Sequence, residues 1–181
     1  MITGGSIIIP MAGKSERFLK KGYQIPKPII SIGDVPMVIK AGLDLPKADD
    51  HIFIALKEHL SNFKIDERIK EYLPQAKFVS LDQVTEGQAC TCLLGLGDVA
   101  LNEEILIGAC DNGMIFDRQA FDQLKKISDV IVFTFRNNVT VIEKPEQYGW
   151  VKLSNDGTVE QVSVKKPISN NPQQDHAIVG A

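Results

Sequence analysis

Apolar residues in this chain gather in short unbroken runs. Positions 6–10, 52–57, 77–81, 105–109 and 130–135 are rich in Ile, Val, Leu and Phe, the pattern of strands buried on both faces of a parallel sheet. Between these runs, 36–43, 66–73, 87–99 and 117–127 place apolar residues three and four apart, most clearly at Ala89, Leu93, Leu96 and Val99, which predicts amphipathic helices. Asp117 stands where the last of them needs an N-cap. Strands alternating with helices predict a doubly wound, mostly parallel α/β sheet of Rossmann-like form, covered on both faces.

After residue 135 the rhythm changes. Segments 148–153 and 158–165 flank the turn sequence Asn155-Asp156-Gly157 and predict an antiparallel C-terminal hairpin added to the sheet. The apolar segment 178–181 reads as the start of a further strand, so the chain is expected to lack its C-terminal segment. No repeat, low-complexity tract or linker divides residues 1–181, which predicts one domain.

Composition narrows the partners. A formal net charge of -3 without a Lys/Arg run provides no broad attraction for nucleic acid or an anionic membrane, so neither is expected as a partner. The run 7–9 is far too short to span a bilayer and lacks the basic segment of a secretion signal. Cys90, Cys92 and Cys110 are odd in number and lie in apolar surroundings, which argues against a disulfide framework and for a reducing compartment, the cytoplasm. Cys90 and Cys92 are expected to pack as small apolar residues. His51, His59 and His176 show no metal-ligand spacing.

Candidate chemistry begins where the first strand ends, at Met11-Ala12-Gly13-Lys14-Ser15-Glu16-Arg17. Ligands of open α/β sheets bind outside the carboxyl ends of the strands, and a small-residue loop there can surround phosphate oxygens with backbone N–H groups. Lys14 and Arg17 would add charge-assisted bonds. Glycine in such a turn also has a purely conformational explanation. A second signal lies downstream, where Pro26-Lys27-Pro28 fixes one lysine between two prolines and limits where its ammonium can point.

The strand and loop 7–17, Lys27-Pro28 and Gly33-Asp34-Val35-Pro36-Met37, in that order and spacing, resemble the nucleotidyltransferase family that includes the nucleoside-diphosphate-sugar pyrophosphorylases. The resemblance extends to Thr85-Glu86-Gly87-Gln88-Ala89, to the strand 105–109 that runs into Cys110-Asp111-Asn112, to Tyr148-Gly149 and to Lys165-Lys166-Pro167. It implies Mg²⁺-dependent transfer of a nucleoside monophosphate from a nucleoside triphosphate to a sugar 1-phosphate or similar small phosphorylated metabolite, with release of pyrophosphate. Arg17 and Lys27 would carry catalysis, and Ala12, Gly13, Lys14, Ser15, Gln83 and Gly87 would bind the nucleotide. Gly149 and Lys166 would meet the acceptor, and Asp111 would hold Mg²⁺, with the family's second metal ligand expected beyond residue 181. A homo-oligomer is compatible with the family.

Each assignment has a plainer counterpart. Asp-Asn-Gly is a good turn sequence in which Asp111 would bond backbone amides. Gln88 reads as an exposed polar residue, and Trp150 suits an acceptor pocket and a hairpin core equally. Three departures from the family pattern stand out: Ser15 where a second glycine is usual, Glu16 where Thr or Ser is common, and Lys165 in place of a glutamate. They keep open the alternative of a catalytically inactive nucleotide-binding regulatory domain of the same fold. A dinucleotide-dependent oxidoreductase would need Gly-x-Gly-x-x-Gly after the first strand, which residues 13–18 do not supply.

Overall fold

In a computed structural model that describes residues 4–97, 99–100 and 102–180, the chain divides after Ile115 into two compact units. The first begins with β1 (Ser6–Pro10). Ile7, Ile8 and Ile9 expose 1% or less of their surface, and burying each contributes about 1.5–3 kcal/mol. Such a strand can only lie inside a sheet. It pairs in parallel with β4 (Asp50–Leu56) on one side and with β6 (Ile105–Ile107) on the other, while β5 (Lys77–Leu81) flanks β4. The order is β5-β4-β1-β6. Between β1 and β4 come α1 (Glu16–Leu19), a 3₁₀ turn at Lys27–Ile29, the two-residue strands β2 (Ser31–Ile32) and β3 (Val35–Pro36), and α2 (Met37–Leu43). Helices α3 (Lys57–Phe63) and α4 (Ile65–Lys70) join β4 to β5, and α5 (Gln88–Gly95) leads back across to β6.

Helices cover both faces, as the alternating pattern predicts. Ile8, Ile52 and Ile54 share one face and pack with Cys92 of α5, Leu96 and Val99. The approach is close: a Cβ on Gly95 would lie 2.6 Å from Ile54 Cδ1 and 3.3 Å from Ile8 Cγ2. On the opposite face Phe53 stacks on Phe78 at 5.5 Å, Lys70 of α4 lies over the Phe78 ring, and Gly42 of α2 abuts Ile9.

The second unit holds a separate antiparallel sheet of order β7-β10-β8-β9. It contains α6 (Arg118–Leu124), β7 (Thr134–Phe135), α7 (Thr140–Glu143), β8 (Gly149–Leu153), β9 (Val159–Val164) and β10 (His176–Ile178). Asp117 caps α6 as expected, its Oδ1 accepting from the N–H groups of Gln119 and Ala120 at 2.9 and 3.0 Å. The β8–β9 hairpin turns at Gly157, whose φ of 88° favours glycine. Trp150 resolves its two readings in favour of the core: it is fully buried against Val141 and Ala177, and its Nε1–H donates to the Pro145 carbonyl at 3.2 Å.

Several expectations need correction. The run 130–135 is not a strand of the parallel sheet; only Thr134 and Phe135 are extended, and they pair antiparallel with Ile178 and Ala177. The hairpin is not an addition to the parallel sheet either, because β8 finds its second neighbour in β10. The helix predicted over 87–99 stops at Gly95, where Gly95 and Gly97 weaken it, although Leu96 and Val99 still reach the core. Helix α3 follows β4 directly where no helix was expected. The strand expected at 178–181 spans His176–Ile178, and Ala181 lies outside the described residues. Cys92 is buried as predicted, whereas Cys90 is exposed. Among the described residues no helix is long and apolar enough to cross a membrane.

His59 of α3 is buried, its Nδ1 has no hydrogen-bond partner among the described residues, and its ring stands edge-on to Phe63 at 6.2 Å. Burial lowers its pKa, opposed by Glu58; burial acts in the same direction on His51 and His176. The unfolded chain takes up these protons near pH 6.5, the folded chain only at lower pH. Stability present above that value is therefore lost as pH falls below it. Urea denaturation between pH 7 and pH 5 should show this decline, and His59→Leu should make it shallower; an unchanged slope would exclude His59 as a contributor.

Candidate active site

Strand order reverses at β1. The chain leaves β1 towards β4 and later returns to β6 on the other side, so the loops following β1 and β6 diverge and leave a crevice at the carboxyl ends of the strands. A cavity of about 550 Å³ lies there. Its walls include Ala12, Gly13, Ser15, Glu16 and Arg17 from the first loop, Lys27 and Pro28, Thr85, Gly87, Gln88 and Thr91 around the start of α5, and Cys110 and Asp111 after β6.

The first loop is shaped by Ser15. This residue precedes α1 in the left-handed conformation, φ 57° and ψ 25°, which costs a residue with a Cβ about 1–2 kcal/mol. Its carbonyl accepts from the N–H groups of Phe18 and Leu19 at 2.9 and 3.1 Å. Its hydroxyl does not cap the helix; Oγ accepts instead from the Lys27 backbone N–H at 2.9 Å. That bond offsets part of the conformational cost, by about 1 kcal/mol, and joins the first loop to the Pro26-Lys27-Pro28 turn.

The side chain of Lys27 crosses to the loop after β6, where its Nζ donates to Asp111 Oδ2 at 2.8 Å. Burial alone would pull the Lys27 pKa down. The Cys110 sulfur and the hydrogen-bonded Asp111 carboxylate outweigh burial and the opposing charge of Arg17, so the ammonium is held above its ordinary range. Burial pushes the Cys110 thiol up, with Lys27 opposing.

On the facing wall, Gly87 begins α5 with an extended backbone. Its carbonyl accepts the Thr91 N–H at 3.0 Å and lies 2.9 and 3.2 Å from the hydroxyls of Thr85 and Thr91, which are themselves 2.6 Å apart. Two hydroxyl protons serve these three contacts, so the turn is closed by its own side chains. Among the described residues no side chain caps α5, and its first N–H groups have no partner within the helix.

Seven predicted site residues line this one cavity: Ala12, Gly13, Ser15, Arg17, Lys27, Gly87 and Asp111. Lys14 and Gln83 are exposed and outside its lining. Gly149 opens β8 and Lys166 follows β9, both in the second unit. The sequence singles out neither Thr85 nor Thr91 individually, and Gln88 reads there as an exposed polar residue; the i, i+4 spacing of Gly87 and Thr91 is the available signal. Glu16, noted as a departure, does face the cavity.

Among the described residues no three His, Cys, Asp or Glu side chains group to hold a metal. Asp111 supplies one carboxylate to a cavity whose lining also includes Glu16. Mg²⁺ accepts so sparse a set when substrate phosphates and water complete its shell, and the residues present fit it on that basis.

No family model matches the sequence, and no curated protein matches it. Solved structures do. A nucleoside-diphosphate-sugar pyrophosphorylase from Vibrio cholerae RC9 superposes with a TM-score of 0.69 at 24% identity, over 96% of this chain and 70% of that one. The inositol-1-phosphate CTP transferase of T. maritima gives 0.69 at 15% identity, over 98% and 69%. A UDP-glucose pyrophosphorylase complexed with UDP-glucose gives 0.67 at 16% identity, over 97% and 74%. The chain therefore has the fold shared by these nucleotidyltransferases.

Asp111 remains more than a third exposed, so screening keeps its ion pair with Lys27 to about 1 kcal/mol. Asp111→Asn should lower the unfolding free energy by about that amount in urea titrations, and adding Lys27→Met should recover most of it. A double variant no more stable than the single one would show that the pair does not stabilise the fold.

Proposed function

We propose that the protein transfers a nucleoside monophosphate from a nucleoside triphosphate to a sugar 1-phosphate or a similar small phosphorylated metabolite and releases pyrophosphate, with Mg²⁺ as cofactor. The observation that carries this reading is the convergence of the 12–17 loop, Lys27 and Asp111 on one cavity at the reversal of strand order. The shared fold supports it, since structures of that fold are named for sugar nucleotides and for inositol 1-phosphate.

In this reaction a phosphate oxygen of the acceptor attacks the α-phosphorus, and the bond from that phosphorus to the pyrophosphate oxygen breaks in line. The attacking oxygen is already ionised and needs no general base. Both reactants are anionic, so catalysis rests on alignment and charge neutralisation. We assign the N–H groups of Ala12, Gly13, Lys14 and Ser15 to the triphosphate, together with the Arg17 guanidinium. Lys27 is assigned to the α-phosphate, Gly87 and Gln83 to the base, and Gly149 and Lys166 to the acceptor. Asp111 would hold Mg²⁺, which when bound would neutralise phosphate charge. Three free cysteines suit a reducing cytoplasm.

Incubation with Mg²⁺, a panel of nucleoside triphosphates and a panel of small phosphorylated alcohols should release pyrophosphate from at least one pair. Nucleotide binding without turnover across broad panels would instead support a regulatory domain. Lys27→Ala should lower kcat by about 10²–10³-fold while changing nucleotide affinity less than tenfold. An effect confined to affinity would remove Lys27 from the reacting phosphate.

A further inference from the structure

We propose that Ser15 is the positioning residue of this site, its hydroxyl fixing the backbone from which the Lys27 ammonium reaches Asp111. Three observations carry the inference. First, the Ser15 hydroxyl forgoes the bond usual for a serine before a helix: no side-chain cap is made to α1, although serine is among the best residues for it. Second, the hydroxyl accepts from the Lys27 backbone N–H at 2.9 Å, twelve residues away and in part-buried surroundings. Third, Ser15 keeps a φ of 57°, where glycine would sit without strain. A residue chosen only for the shape of the loop would be glycine; a hydroxyl in that conformation adds only the bond to Lys27.

The position of Lys27 makes this bond consequential. Lys27 opens a 3₁₀ turn, so its N–H has no partner within that turn, while its carbonyl is engaged by the Ile30 N–H at 3.1 Å. Pro26 lacks an N–H and Pro28 restricts the backbone of Lys27. Ser15 thus holds one end of the residue and Asp111 the other, at 2.8 Å from Nζ. Without the hydroxyl, the root of the side chain carries an unsatisfied N–H, and the turn that presents the ammonium to the loop after β6 loses its tie to the first loop. Through its hydroxyl Ser15 acts on Lys27, a role separate from that of its backbone N–H, which is assigned to the triphosphate.

The proposal deepens the transferase reading, on which it rests only for its kinetic consequence, so the test has two arms. In the first, the intact chain is acetylated at low reagent concentration and each lysine is followed by mass spectrometry. Ser15→Ala and Ser15→Gly should each speed modification of Lys27 by about fivefold, while Lys40 and Lys152 react as in the unaltered protein. The glycine variant relieves the backbone strain and guards against misfolding of the alanine one. An unchanged Lys27 rate in a folded variant would overturn the proposal, and equal acceleration at all lysines would overturn it in favour of a general structural role. In the second arm, with a substrate pair that turns over, Ser15→Gly should lower kcat about tenfold with little change in KM, and should lower it less than twofold when Lys27 is already Ala. The same tenfold loss in both backgrounds would overturn positioning through Lys27. Absence of turnover in the unaltered protein would defeat the transferase reading alone, leaving the acetylation result to decide the role of Ser15.

Discussion

The position of β1 inside the parallel sheet is the constraint on which the first unit depends. Three consecutive isoleucines leave this strand no stable place except between two neighbours and two layers of helix. Because the chain departs from it towards β4 and returns beside it as β6, its carboxyl end becomes the place where consecutive loops separate. The cavity is the geometric remainder of that reversal. Ala12, Cys110 and Asp111, distant in sequence, become neighbours because the strands that carry them are neighbours.

Within the crevice, order comes from satisfying polar groups that the fold leaves without regular partners. The Lys27 N–H, outside any ladder, takes the Ser15 hydroxyl; the Lys27 ammonium, brought out of water, takes Asp111; the Gly87 carbonyl takes its own helix and two threonine hydroxyls. Unmade hydrogen bonds are costly where water is scarce, so these bonds fix the walls before any ligand arrives. They also separate groups spent on architecture from groups with no partner within their own helix, such as the first N–H groups of α5.

The parallel sheet was legible in the sequence because strands buried on both faces must be continuously apolar, and the runs around Ile8 and Ile54 are; the run around Leu106 pairs in the same sheet although Ile105 and Ile107 stay exposed. The same signal misled at 130–135, where an equally apolar run pairs through only two residues and leaves Val130 and Val132 exposed: an apolar run expresses a preference for burial, and the tertiary fold sets which residues find it. Helix α3 escaped notice because Lys57-Glu58-His59 follows the strand without a turn residue to mark the change. At the site, Lys27 and Asp111 were visible as a lysine between prolines and an aspartate ending an apolar run. The Ser15–Lys27 bond was not, since it links a side chain to a backbone group across a loop and leaves no spacing to read. The threonines beside Gly87 were hidden for a similar reason: each looks like an ordinary residue of a helix start until the two hydroxyls are brought to 2.6 Å.

The cavity lining carries two cationic side chains, Arg17 and Lys27, and two anionic ones, Glu16 and Asp111, so its formal charges cancel. A crevice of that kind has strong fields close to its walls and almost none a few ångströms outside. In a chain of net charge -3 the lining itself adds no net attraction for a polyanion, so it contributes little to the rate at which such a ligand arrives. Selectivity for such a ligand then resides in the lifetime of the bound state and not in the rate of encounter.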